Sequence, residues 1–264
     1  MTRRVDLYST YSDFTKEVLE VIRKETFGTD IGQNSWLTVD EYDRFIPLLE
    51  LPPDAHVIEI ASGSGGPALY LSHKFNCTVT GVDINEHGIA TATQMVKDSG
   101  DDRTSFQMVD ANRPLPFADN SFDGLVCIDS MNHFPDRLDV LKEWHRVLRP
   151  GHRALFTDPV VITGPVTNDE LAMRSLVGIF LFVPPGINER LINEAGFKLV
   201  KKEDVTRNAA LVSERWRNAR ERHRNELIKI EGSERFDGLQ QFFSAVYQLT
   251  SEGRLSRIMY LVEK

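Results

Sequence analysis

The stretch VIEIASGSGGPALYL, residues 57–71, constrains this chain more than any other. Residues 57–60 read as a short buried strand that carries one carboxylate, Glu59. Gly63, Gly65 and Gly66 follow, and a helix-compatible segment opens at Pro67. A strand, a glycine turn and a helix N-terminus together leave backbone N–H groups free to face a ligand.

From about residue 55 the pattern alternates between strand and helix. Strands are expected at 56–61, 78–83, 104–110, 122–129 and 153–158, and helices at 67–74, 86–98 and 137–148. In the last helix Leu138, Leu141, Trp144 and Leu148 form the apolar stripe. Such alternation implies a parallel, doubly wound sheet with ligands at the carboxyl ends of its strands. Before it, residues 1–50 read as helical, with Phe14, Val18, Leu19 and Ile22 on one face and Ser12 or Asp13 as the cap. After it, 168–182 and 186–195 read as helices, 197–206 as a strand, 208–252 as helical, and the terminal SRIMYLVEK as a strand. The expected fold class is therefore α/β: a Rossmann-like doubly wound sheet ending in an antiparallel hairpin, with an N-terminal helical cap and helical lid insertions. With no repeat or linker, one domain is expected: cap 1–50, cofactor-binding core 51–160, then lid helices and the last two strands over 161–264.

Charge narrows the partners. A net charge of −8 argues against nucleic acid, which needs a basic face, and against anionic membranes. The longest apolar run, 176–183, is too short to span a bilayer, and no apolar stretch follows the basic MTRR start. Cys77 and Cys127 lie in strand-like runs and read as buried thiols. A cytoplasmic protein is expected; the sequence leaves a homodimer open. No metal-ligand spacing stands out among the histidines and cysteines.

Two cofactor classes use such a turn. Gly63, Gly65 and Ala68 fit G-x-G-x-x-A with Asp83 at the end of the next strand, which permits a nicotinamide dinucleotide. Asp83 accepts from ribose hydroxyls in either class. Glu59 discriminates, because a carboxylate just before the turn suits the cationic methionine end of S-adenosylmethionine better than a pyrophosphate.

A longer run points the same way. MVDANRPLPFADNSFDGLVCIDSMNHF and LKEWHRVLRPGHRALFTDP resemble the corresponding segments of class I S-adenosylmethionine-dependent methyltransferases of the ubiquinone/menaquinone-biosynthesis type. The resemblance covers about 55–160, with Ala61 replacing a glycine of the family's turn and His152 replacing one after R-P-G. It implies that Asp110 and Ala111 border the adenine, and that Ala61, Ile84, Ile128 and Ser35 join Glu59, Gly63, Gly65 and Asp83 in the cofactor site. YSDFTKEVLEVIRKETFG and GQNSW resemble the cap of phosphoethanolamine N-methyltransferases, without that family's Y-I-S tyrosine or its phosphate-gripping cluster. There an aspartate and a histidine four residues later follow the fourth strand. Asp129 and His133 have that spacing and, with Tyr11, are the catalytic candidates: His133 as the base, Asp129 as its orienting partner.

The implied activity is methyl transfer to a small-molecule acceptor, at N or O rather than carbon. An NAD-dependent oxidoreductase and a non-catalytic S-adenosylmethionine-binding regulator are the alternatives. The apolar LVGIFLFVPPG suggests an acceptor with a hydrophobic or cationic part. His223 reads as a lid core residue, and RWRNARERHR as a solvated helix face.

Overall fold

A computed structural model describes residues 16–264. Tyr11 and the proposed cap residues Ser12 and Asp13 lie outside the described residues. The first described helix, α1 (Glu17–Phe27), follows Lys16 and buries Val18 and Ile22 as the pattern anticipates. Residues 29–33 then form a tight turn: Asp30 accepts from the Gly32 N–H at 2.8 Å, and the Gln33 side chain accepts from the Ile31 N–H at 2.8 Å. Helix α2 (Val39–Phe45) starts at a Thr38 cap.

The core alternates as expected: β1 (His56–Ile60), α3 (Gly66–Phe75), β2 (Thr78–Asp83), α4 (Glu86–Ser99), β3 (Thr104–Met108), β4 (Phe122–Cys127), α5 (Arg137–Val147) and β5 (Leu148–Ile162). The C-terminal part holds α6 (Asn168–Arg174), α7 (Ile187–Glu194), β6 (Lys198–Asp204), α8 (Thr206–Arg222), α9 (Arg224–Glu231), α10 (Ser233–Ser251) and β7 (Leu255–Glu263). The strands form one sheet in the order β3-β2-β1-β4-β5-β7-β6. β1 to β5 are parallel, while β7 runs antiparallel to both β5 and β6. This is the class I methyltransferase fold. The strand order reverses between β1 and β4, so a crevice opens beyond their carboxyl ends.

Two apolar layers clamp the sheet. One contains Ile58, Leu125, Trp144, Phe156 and Tyr260; the other contains Tyr42, Phe45, Val57, Leu71 and Met259. Alternate residues of β1 thus face opposite layers, as the pleat requires. A separate cluster joins Phe27 and Trp36 to Val212, Phe242 and Phe243, holding the cap against α8 and α10. Cys77 and Cys127 are buried free thiols.

Two expected helices are revised. The segment expected as one helix over 168–182 leaves helical geometry after Arg174, and residues 175–183 cross the crevice as turns and extended chain. Their carbonyls and N–H groups are used there: the Leu181 N–H donates to the Asn132 carbonyl at 2.9 Å. The helical stretch 208–252 is broken at His223 and at Gly232, whose φ is 80°. Among the described residues, no helix is long and apolar enough to cross a membrane.

Candidate active site

A cavity of about 790 Å³ fills the crevice. Its floor is the β1 turn and its roof comes from α1, residues 174–181 and α8 to α10.

The turn is built from alternating left-handed residues: Ala61 at φ 58°, Gly63 at 54° and Gly65 at 83°. Ala61 holds a conformation that costs an L-residue about 1–2 kcal/mol, where the family pattern has glycine. Asp83 fixes the turn, its Oδ2 accepting from the Gly63 N–H and its Oδ1 from the Asn85 N–H, both at 2.8 Å. Ala61 and Gly63 line the cavity. Gly65 does not reach the wall, which corrects its placement as a cofactor contact. It lies under the turn, where a Cβ would strike Phe106 and Ala92. At Gly66 a Cβ would collide with the Ile31 carbonyl, and the Ser64 hydroxyl donates to the Gly32 carbonyl at 2.9 Å. The cap turn therefore docks directly on the glycine turn.

Glu59 projects from β1 into this cavity. It is 3% exposed, and among the described residues its Oε2 has no hydrogen-bond partner. Burial, reinforced by the neighbouring Asp83 carboxylate, pushes its pKa up to about 8. Burial also raises the Asp83 pKa, against the backbone N–H groups that stabilise its charge. Ile84, beside it, is 53% exposed at the cavity wall, a large apolar surface open to the cavity side. Asp110 and Ala111 face it from the turn after β3, Asp110 accepting from the Asn112 N–H at 3.0 Å. Ile128 and Ser35 also line the cavity, and the Ser35 hydroxyl accepts from the Leu37 N–H at 3.2 Å.

Asp129 and His133 both line the cavity, yet they are not partners. Asp129 accepts from Arg257 Nε at 2.6 Å, the Thr157 hydroxyl at 2.8 Å and the Trp36 N–H at 2.9 Å. Arg257 also donates to Glu41 at 2.7 Å, which accepts from Asn208 at 3.0 Å. The carboxylate is thus committed to a buried network joining the cap, β5 and β7, which corrects its expected role as the orienting partner of His133. His133 is oriented instead by the Ile179 carbonyl, 3.0 Å from Nδ1. A carbonyl only accepts, so Nδ1 carries the proton, and the lone pair of Nε2 accepts from the Asn132 amide N–H at 3.2 Å. Burial lowers the His133 pKa against the pull of the Ile179 carbonyl, and the Arg174 charge lowers it further. The imidazole is neutral at neutral pH.

Four arginines line the cavity, Arg23, Arg174, Arg220 and Arg235, and none was a candidate from the sequence. Arg174 ends α6 and is 2% exposed, its guanidinium 4.5 Å from the Phe180 ring centroid and 5.1 Å from that of Phe242. A lone cation inside the apolar run ELAMRSLVGIFLF was the available signal. Arg220 belongs to the run read as a solvated face, but it is 3% exposed and ion-paired with Glu231. Its neighbours Arg215, Arg222 and Arg224 do face outward. His223 is not a core residue: it interrupts the helix and meets Glu25 at 3.0 Å.

Residues 58–156 match the family described as Methyltransferase domain, the segment that carries the glycine turn and the first five strands. The fold and this match define a class I methyltransferase architecture. Among curated relatives, Methyltransferase GfsG of Streptomyces halstedii is 34% identical over 177 residues, 64% of this chain and 61% of that protein. Sarcosine/dimethylglycine N-methyltransferase of Halorhodospira halochloris is 32% identical over 158 residues, 60% of this chain and 56% of its own length. These matches thus span about three fifths of each relative. Phosphoethanolamine N-methyltransferase 2 of Haemonchus contortus, solved with S-adenosyl-L-methionine, superimposes with a TM-score of 0.81 at 20% identity, over 98% of this chain and 60% of that one.

Proposed function

We propose that this protein transfers a methyl group from S-adenosylmethionine to a nitrogen or oxygen atom of a small-molecule acceptor. The observation that carries the proposal is Glu59: a buried carboxylate with an unpartnered oxygen, set beside a left-handed glycine turn and facing the cavity. A buried polar atom without a partner is costly unless a ligand supplies one. A ligand ammonium does so; a pyrophosphate does the reverse. The remaining wall fits the same molecule. Asp83 has lone pairs left for the ribose diol after its two backbone bonds, Ile84 and Ala111 offer apolar surface for the adenine, and Asp110 stands at its edge. Ser35, Ala61 and Ile128 complete that end.

The cofactor supplies a methyl group already activated by its sulfonium. The protein's task is then to align the acceptor, exclude water and accept one proton. The aromatic roof of Trp36, Phe180, Trp216 and Phe242 excludes water, and alignment of this kind is worth up to about 7–11 kcal/mol. His133 Nε2 takes the acceptor's proton once its lone pair exchanges the Asn132 amide N–H for the acceptor. Asp129 positions: it ties the Trp36 segment to Arg257 and keeps the roof over the cavity. Tyr11 remains a catalytic candidate from its sequence alone. The chain acts as one unit of cap (1–50), core (51–160) and lid (161–264), in the cytoplasm, on a small molecule and not on nucleic acid.

Mass spectrometry of the purified protein tests the cofactor: co-purified S-adenosylhomocysteine supports it, a nicotinamide refutes it. An acceptor library read by S-adenosylhomocysteine release separates an enzyme from a cofactor-binding regulator. Light scattering decides between monomer and homodimer.

A further inference from the structure

We propose that Arg174 anchors an anionic oxygen of the acceptor, a carboxylate, so that the substrate class is an acidic small molecule with an apolar body. This rests on the methyltransferase reading above and deepens it.

The other buried arginines are all used. Arg137 donates to Asp158 at 2.5 Å, to Asn188 at 2.7 Å and to the Leu181 carbonyl at 2.7 Å. Arg257 holds Asp129 and Glu41, Arg220 holds Glu231, and Arg23 holds Asp30 at 3.0 Å. Arg174 is different. Among the described residues its guanidinium makes no hydrogen bond or ion pair, and Nη1 is buried without an acceptor. The carboxylates that attract it, Asp129 and Asp158, are already bonded to Arg257 and Arg137. A guanidinium presents five N–H donors in a planar fork that matches a carboxylate. A buried one with that fork unfilled, on the wall of a ligand cavity, is a binding group awaiting its anion.

Its surroundings decide what the ligand is. Trp36, Phe180 and Phe242 put their faces around Arg174, with centroids 6.0, 4.5 and 5.1 Å from its guanidinium carbon. Aromatic faces of this kind attract cations, and here a cation of the protein already occupies them. The sequence suggested a hydrophobic or cationic acceptor; Arg174 fills the place a cationic one would take and leaves the hydrophobic alternative. Arg174 also shares Phe180 with His133, whose ring centroid lies 5.0 Å from that phenyl ring. The anchor therefore belongs to the part of the cavity where the proposed base stands. The cofactor also has a carboxylate, and the experiment must separate the two.

Benzoate and its neutral counterpart benzyl alcohol are titrated into the protein saturated with S-adenosylhomocysteine, read by calorimetry and by intrinsic tryptophan fluorescence, to which Trp36 and Trp216 of the cavity wall contribute. Benzoate is expected to bind at least tenfold more tightly than benzyl alcohol. R174M should remove that preference while S-adenosylhomocysteine affinity stays unchanged, and R174K should keep part of it. Equal binding of the two probes, no binding of either, or a preference that survives R174M overturns the proposal. A large loss of S-adenosylhomocysteine affinity in R174M also overturns it, because the guanidinium would then serve the cofactor's carboxylate. If wild-type protein binds no S-adenosylhomocysteine at all, the methyltransferase reading fails separately, and the benzoate titration of the ligand-free protein still decides whether Arg174 selects an anion.

Discussion

Glu59 gives the sharpest pH test. Its pKa in the ligand-free protein lies at about 8, raised first by burial and then by Asp83. Below that pH the carboxyl carries a proton, whereas a ligand ammonium favours the ionised form. Binding must therefore expel the proton, at about 1.4 kcal/mol for each pH unit below the pKa. Between pH 7.5 and 5.5 the Kd for S-adenosylhomocysteine should weaken by up to about 100-fold, since two units convert to two decades. Calorimetry in buffers of different ionisation enthalpy should count close to one proton released at pH 6.5. In E59Q no proton is released, the slope should vanish, and affinity at pH 7.5 should fall by about 1.5–3 kcal/mol, the range for a hydrogen bond to a charged group. Folding stability carries the same signature with the sign of a raised acid. The contribution is whole below the unfolded pKa of 4.5 and is lost as pH rises to about 8. That is up to about 5 kcal/mol over the window, absent in E59Q. A Kd for wild type that is flat from pH 5.5 to 7.5, or a slope that persists in E59Q, refutes the reasoning.

Other substitutions probe the rest of the wall. D83N should weaken S-adenosylmethionine binding by about 1.5–3 kcal/mol in calorimetry, with some loss of turn order because Asp83 also holds Gly63. H133A should lower kcat about 10²–10⁴-fold with S-adenosylhomocysteine affinity unchanged; the acid limb of the wild-type rate should lie below pH 6.5, since burial depresses the His133 pKa from that value. D129A should behave differently, costing about 3 kcal/mol in denaturant unfolding because it leaves buried Arg257 with Glu41 as its single ion-pair partner, and its effect on kcat should add to that of H133A. Deleting residues 1–30 removes Ile22 and Phe27 from the roof clusters; turnover should be abolished while far-ultraviolet circular dichroism keeps the sheet.

β1, β2 and β4 were legible because each is a short, mostly buried run ending in punctuation that a βα turn explains: ASGSGG after β1, DINE after β2, DSMN after β4. Helices α3, α4 and α5 end within a residue or so of their periodicity for the same reason. The floor of the site was legible with them, since local chain geometry places Glu59, Gly63, Asp83 and Ile84 at neighbouring strand ends. The roof was not. Whether Arg174 points outward or into a ring of aromatics depends on contacts with Trp36 and Phe242, over a hundred positions away in one case, and helical period over 168–182 does not carry that information. The Asp129–His133 pair misled for a related reason. A four-residue spacing across a strand end allows both side chains to face one cavity, but Asp129 was claimed by Arg257, 128 residues later.

Several departures from local rules lie on the cavity wall. Among the non-glycine residues at positive φ, Glu50, Asp54, Asn76 and Asn120 sit in loops, and three of these four are Asn or Asp, which tolerate that region. Ala61 and Asp129 are the two on the cavity wall, one beneath each of the proposed ligands. The same wall carries a carboxylate oxygen and a guanidinium nitrogen, each buried without a partner. Glu59 and Arg174 reach the same crevice from β1 and α6, where an ammonium at Glu59 and an anion at Arg174 would supply the missing partners. The stabilisation absent from folding is then available for binding, which is where a protein that must align two small molecules requires it.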